Sequence, residues 1–211
     1  MEIDPQIKKA TIEYFRSNIY EALAAYSGWK TIVYARYYDV VGKEMADKYA
    51  RIENYHVNFF IAIEYSFLLS FVILLMHAFD TDDRSYSLYK VEKEKTEAFI
   101  LNNKEVLDNL FLLRNKFFAH REININNISK NEYTVPPVIK LDLFFENLIR
   151  FYNELSVVVD DSTTIFNNAL EIKQDIERMF MNLYRGENIR KVDIDVKWLW
   201  EENDNKISKK I

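Results

Sequence analysis

Apolar residues recur at steps of three and four from the start of the chain. Ile12, Phe15, Ile19, Leu23 and Tyr26 form one stripe that continues through Trp29, Ile32 and Val33, the spacing of an amphipathic helix. Asp4 as N-cap and Pro5 at the first helical position open it, because proline's missing N–H costs nothing there. The pattern predicts a helix to about Tyr38, with Gly28 as a weak point and Gly42 as its end. A second helix is predicted from about Lys43 to Phe79. Its second half, FFIAIEYSFLLSFVILLMHAF, is apolar nearly all round, as in a central helix enclosed by neighbours. The charge-free run from Tyr65 to Phe79 has 15 residues, short of the ~18 that a membrane span requires. No membrane association is expected from it.

Leu88 to Leu101 reads as a shorter charged helix ended by Asn102-Asn103. Lys104 opens another, with Val106, Leu107, Leu110, Phe111, Leu113 and Phe117 on its apolar face. The Asn-rich stretch ININNISKNEYTVPPV reads as a long loop. Two further helices are predicted, about Lys140 to Val158 and Ser162 to Tyr184, separated by Asp160-Asp161-Ser162 and stopped by Gly186. Beyond that the period changes to two: Val192, Ile194, Val196 and Trp198 alternate with polar residues, a strand pattern. A lone strand needs a partner, either Glu132 to Val135 or another copy of the chain. The expected fold is therefore all-α, a five- to six-helix up-down bundle with a short C-terminal β-strand. It forms one domain over residues 1–187, with 188–211 as strand and tail rather than an independent domain.

Composition narrows the chemistry. At 211 residues with three glycines and three prolines, the chain can bury one sizeable helical core. It has no cysteine, which excludes disulfides, thiolate catalysis and cysteine-based zinc sites. The three histidines, His56, His77 and His120, are too dispersed to suggest a zinc triad, and no Gly-rich phosphate loop or serine elbow is present. No metal and no cofactor are implied. A formal net charge of -5 argues against broad sequence-blind binding to nucleic acid, which relies on many Lys and Arg contacts to phosphate. The start, MEIDPQIKK, carries no apolar run of the secretory kind, so a cytoplasmic location is expected.

The stretch most able to do chemistry is LRNKFFAHRE, Leu113 to Glu122. His120 has the side chain suited to general acid or base work near neutral pH. Arg114 offers a planar fork that grips phosphate and stabilises developing charge, and Asn115 can orient either group by hydrogen bonds. Together they can assist attack of a ribose 2′-hydroxyl on the adjacent phosphate without a metal. On a straight helix, however, six positions separate Arg114 and His120 by about 120°. Either the turn loosens near His120 or a second copy supplies its own pair. Lys116, four positions before His120, shares its face. In the competing structural reading, Arg114 pairs with Asp108 or Glu146 and His120 closes the helix as a cation at its C-terminal end. RIENYH, with Arg51 before His56, shows that such spacing by itself is a weak signal. Glu64, the one charge in the apolar half of the second helix, either faces the site and orients Arg114 or His120, or forms a buried salt bridge.

LRNKFFAHRE resembles the signature of the HEPN superfamily, in which an arginine followed by a polar residue precedes a histidine near a helix end. Arg114-Asn115, four intervening residues and His120 match it, and MHAFDTDDRSYSL upstream resembles the abortive-infection branch. The resemblance covers roughly residues 5–184, with only the short motif specific. It implies an all-helical bundle, a homodimer and metal-independent RNA cleavage at a composite site. Arg114 would clamp phosphate, His120 act as acid or base, Asn115 orient, and Lys116 and Arg121 make auxiliary phosphate contacts. It also implies a toxin or phage-defence role beside an antitoxin or nucleotidyltransferase partner. Some members have lost catalysis and serve as dimerisation or ligand-binding modules. Where certain toxin members carry a tyrosine two residues after the histidine, this chain has Glu122, so control by modification at that position is not expected.

Overall fold

In the computed structural model residues 4–82, 85–115 and 135–190 are described. Among them the fold is all-α, with eight α-helices and no strand. The first, α1, spans Pro5–Tyr34 and is capped as its sequence dictates, the Asp4 carboxylate accepting from the Gln6 N–H at 2.8 Å. Its apolar stripe is the spine of the molecule: Ile12, Phe15, Ile19, Leu23, Tyr26, Trp29 and Ile32 are all buried. A one-turn helix α2, Tyr38–Val41, leads to Gly42, whose positive φ of 80° turns the chain into α3, Lys43–Tyr55. L side chains rarely adopt that conformation, which accounts for glycine there.

The long second helix expected over residues 43–79 is broken in two. His56, at φ -124° and ψ 39°, ends α3 and begins α4, Val57–Ala78. No proline or glycine marks this break; tertiary contacts hold it. The His56 imidazole Nε2 lies 3.3 Å from the Glu187 carboxylate on the last helix, and Phe60 stacks on Phe180 at 5.1 Å with rings nearly parallel. The chain continues through a 3₁₀ turn, Leu88–Lys90, to α5, Lys93–Asn102, and α6, Lys104–Leu112. It resumes at α7, Val138–Asp160, and ends with a 3₁₀ turn, Asn167–Leu170, and α8, Ile172–Arg190.

α1 and α4 run antiparallel in closest contact, and Gly28 is the point of approach rather than a weak point. A Cβ there would stand 2.8 Å from the Phe67 ring. One core gathers α1, the second half of α4, α5, α6 and α7 around residues such as Phe71, Phe99, Phe144, Leu148 and Tyr152. A second, smaller core joins the end of α1, α3, the first half of α4 and α8 through Ile32, Tyr49, Ile52, Phe60 and Phe180. Apolar burial of this kind drives the fold.

Three expectations are corrected. Residues 162–166 do not begin a helix, because the Asn153 side chain clamps the Thr164 backbone, accepting from its N–H at 2.8 Å and donating to its carbonyl at 3.2 Å. Gly186 lies inside α8 rather than ending it. Finally, α4 is not enclosed on all sides: Val57, Phe59, Ile61 and Ile73 are exposed. By length and composition α4 is also able to cross a bilayer, though a core helix meets the same test. The C-terminal strand and, apart from Val135, its candidate partner Glu132 to Val135 lie outside the described residues.

Candidate functional site

The motif begins where α6 ends. Val106, Leu107 and Leu110 anchor that helix in the larger core, and Leu113, 3% exposed, fixes the next turn. At residues 113–115 the backbone widens into a π-type turn, a bulge often found at functional positions. The straight-helix angle between Arg114 and His120 therefore does not carry over this turn. Asn115 is exposed on this turn. His120, Lys116 and Arg121 lie outside the described residues.

Arg114 is partly exposed and approaches neither Asp108 nor Glu146. Its guanidinium instead lies 4.0 Å from a carboxylate oxygen of Asp80, just past the end of α4. Asp108 is taken by Lys104 at 2.7 Å. The other Asp80 oxygen accepts the Asp82 N–H at 3.0 Å, a local turn bond that fixes the carboxylate. At 4.0 Å and partly in water, the Arg114–Asp80 contact is a loose ion pair rather than a locked fork. The arginine keeps donors for another anion. No local pattern announces this pair, since α4 and α6 must pack before Asp80 meets Arg114.

Glu64 is elsewhere. Its carboxylate accepts from Arg36 at 2.7 Å, and the same guanidinium donates to Glu53 at 2.8 Å. Sixteen positions separate Glu64 from Asp80, about 24 Å along a helix, so Glu64 is not brought together with Arg114. Burial raises the Glu53 carboxyl above its ordinary value, with Arg36 opposing. The guanidinium is correspondingly held in its charged form by the two carboxylates against its own burial.

A second feature was not foreseen in the sequence. A groove of about 1080 Å³ opens between α1, α3, α7 and α8, lined among others by Tyr26, Lys30, Tyr34, Asp142, Arg178 and Arg185. Lys30 meets both Asp142 oxygens at 2.7 Å and stands 5.9 Å from the Tyr26 and Tyr34 rings. The Tyr26 hydroxyl reaches Asp142 at 2.8 Å and the Val138 carbonyl at 3.2 Å. Burial first, and then Asp142, push that phenol far above its ordinary value, so it stays a donor rather than an acid. Arg185 has no ion-pair partner among the described residues. Lys30 and Asp142 are 112 positions apart, so no local pattern announces the groove. The Val138 carbonyl that Tyr26 meets belongs to the first residue of α7.

Comparison with protein-family models, curated proteins and solved structures finds no match for this chain.

Proposed function

We propose that the chain is a metal-independent endoribonuclease acting as a toxin or phage-defence effector, on a HEPN-like bundle whose two copies share a composite Arg/His site. The observation that carries this reading is the setting of Arg114. It stands partly exposed on a widened turn, held loosely by Asp80, immediately before the segment that bears His120. A guanidinium kept for structure alone is better served by a short bidentate partner. Arg114 clamps the scissile phosphate and stabilises the charge that develops on it. His120 takes the proton of the attacking 2′-hydroxyl or delivers one to the leaving oxygen, with Asn115 orienting and Lys116 and Arg121 holding neighbouring phosphates. A protein antitoxin or nucleotidyltransferase is the partner such an activity requires for control, and the cytoplasm is where its RNA substrates lie.

Incubation of purified protein with RNA in EDTA tests this. Cleavage that disappears in both Arg114→Ala and His120→Ala supports it, whereas no cleavage, or cleavage unchanged in His120→Ala, overturns it. A mixture of the two inactive variants regains activity if Arg114 of one copy works with His120 of the other, and stays inactive if each copy uses its own pair.

One observation favours a second reading, a non-catalytic HEPN-like ligand-binding or dimerisation module. The groove beside α8 combines tyrosine rings with cationic side chains, among them Arg185, which has no ion-pair partner among the described residues, a lining suited to a nucleotide. In that case Arg114→Ala lowers stability without any RNA cleavage to lose, and ATP binding, read by calorimetry, is weakened by Arg185→Ala.

A further inference from the structure

Asp80, the carboxylate beside Arg114, opens a short hydrogen-bonded run of chain that ends on an exposed tyrosine. One Asp80 oxygen lies 4.0 Å from the guanidinium, and the other accepts the Asp82 N–H at 3.0 Å. The Asp82 carbonyl in turn accepts from the Ser85 N–H at 3.0 Å and from its hydroxyl at 2.8 Å, a turn whose ends lie within about 7 Å. Tyr86 follows directly. Summed along this path, the Cα atoms of Asp80 and Tyr86 are at most about 18 Å apart.

The Tyr86 ring meets that of Tyr14 on α1, with centroids 5.3 Å apart and planes inclined by 32°. Both are surface residues, Tyr86 50% and Tyr14 40% exposed. Each is nevertheless anchored. The buried Phe15 ring meets Tyr14 edge to face at 5.2 Å. Ser87 and Leu88, the two residues after Tyr86, are both buried, Leu88 in the larger core. Aromatic surface that is held in place and still bare to water is what an unpaired nucleic-acid base stacks on. The local charge favours a base over a phosphate at the rings: DTDDRS carries three aspartates and one arginine, so it is net negative and repels phosphate. Arg114 is the cation that draws one.

Resting on the ribonuclease reading, we propose that Tyr14 and Tyr86 form a stacking platform for an unpaired base of the RNA, on the strand whose phosphate Arg114 holds. Single-strand sites of about four nucleotides or more are ordinary, long enough to bridge the two holds. The substrate class selected is single-stranded or looped RNA, because a base inside a duplex has its faces covered by its neighbours.

The test uses the full-length protein and a short unstructured RNA. Tyr14→Ala and Tyr86→Ala should each raise KM for cleavage by about five- to 150-fold, the range of one stacked base, and leave kcat within about twofold. Tyr86→Phe should restore the wild-type KM, and the same sequence held in a duplex should be cut poorly. An abasic nucleotide moved along the RNA separates stacking from a structural role: at one position it should weaken wild-type binding by the same factor and Tyr86→Ala binding hardly at all. RNA methylated at the 2′-oxygens, which has no hydroxyl to attack, reads the platform by fluorescence anisotropy apart from cleavage. A protein that cuts RNA with KM unchanged in both alanine variants, or with an abasic penalty equal in wild type and Tyr86→Ala at every position, overturns the platform and leaves the ribonuclease reading standing. A protein that cuts nothing but loses its binding of methylated RNA in both variants keeps the platform and removes the ribonuclease. Methylated RNA bound equally well by wild type and both variants, or bound by none of them, overturns the platform.

Discussion

Replacing Gly28 by alanine sets two effects of known sign against each other. In the interior of a long helix the change removes glycine's backbone entropy cost and by itself stabilises by about 1 kcal/mol. The structure opposes it. The new methyl group would lie 2.8, 2.9 and 3.0 Å from three atoms of the Phe67 ring, where ordinary contact begins near 3.4 Å. The ring must retreat by about half an ångström. It packs against both cores at once, so the retreat disturbs α4 as a whole, and overpacking of this kind costs about 1–3 kcal/mol. The net expectation is destabilisation of about 1 kcal/mol, or a fall in Tm of about 2–4 °C for a chain this long. Urea unfolding followed by circular dichroism measures it. A double-mutant cycle isolates the cause: in a Phe67→Leu background, where the far edge of the ring is gone, Gly28→Ala should become stabilising. A Gly28→Ala protein more stable than the wild type, or a sign that does not change with Phe67, refutes the close-approach argument.

Phe180→Ala removes a fully buried ring from the smaller core, where it packs against Phe60 and Tyr49, and should cost about 3–5 kcal/mol by denaturant unfolding; a loss below about 1 kcal/mol would mean that α8 is not integral to the fold. Tyr152→Phe deletes one hydrogen bond, from the buried hydroxyl to the Ile12 carbonyl at 3.2 Å, for an expected loss of about 0.5–1.5 kcal/mol at unchanged m-value. Glu53 gives a pH signature. Because burial raises its folded-state pKa above the ordinary 4.5, the folded protein binds its proton more tightly than the unfolded chain. The resulting stabilisation is fully present below about 4.5 and is lost as pH rises through the folded value. The wild type should therefore gain stability relative to Glu53→Gln as pH is lowered from 7 toward 4.5, and a difference that shrinks or stays flat refutes the assignment.

Much of the helical content was legible because it is written in local chemistry. The Asp4-Pro5 start of α1, its stripe from Ile12 to Ile32, and the apolar face of α6 depend only on residues a turn or two apart. The break at His56 was not legible, since nothing in RIENYH disfavours a helix. It is held by Glu187 and Phe180, more than a hundred positions away. The late start of α8 has the same origin, an asparagine on α7 binding the backbone of Thr164.

The candidate site divides along the same line. Sequence alone singled out Arg114, Asn115 and His120, and with them Lys116 and Arg121, because the chemistry of arginine and histidine and their setting in LRNKFFAHRE are properties of one short stretch. It misjudged the partners. Asp80 rather than Asp108 or Glu146 stands beside Arg114, whereas Glu64 forms a salt bridge, the second of its two expected roles, with an Arg36 that no local pattern pointed to. Charges pair according to which helices pack together, and packing is decided by the apolar faces rather than by the charges themselves. The groove of Lys30, Tyr26 and Asp142 is the clearest case: three residues from two helices, unremarkable where they stand in the chain, become one feature only when α7 lies against α1.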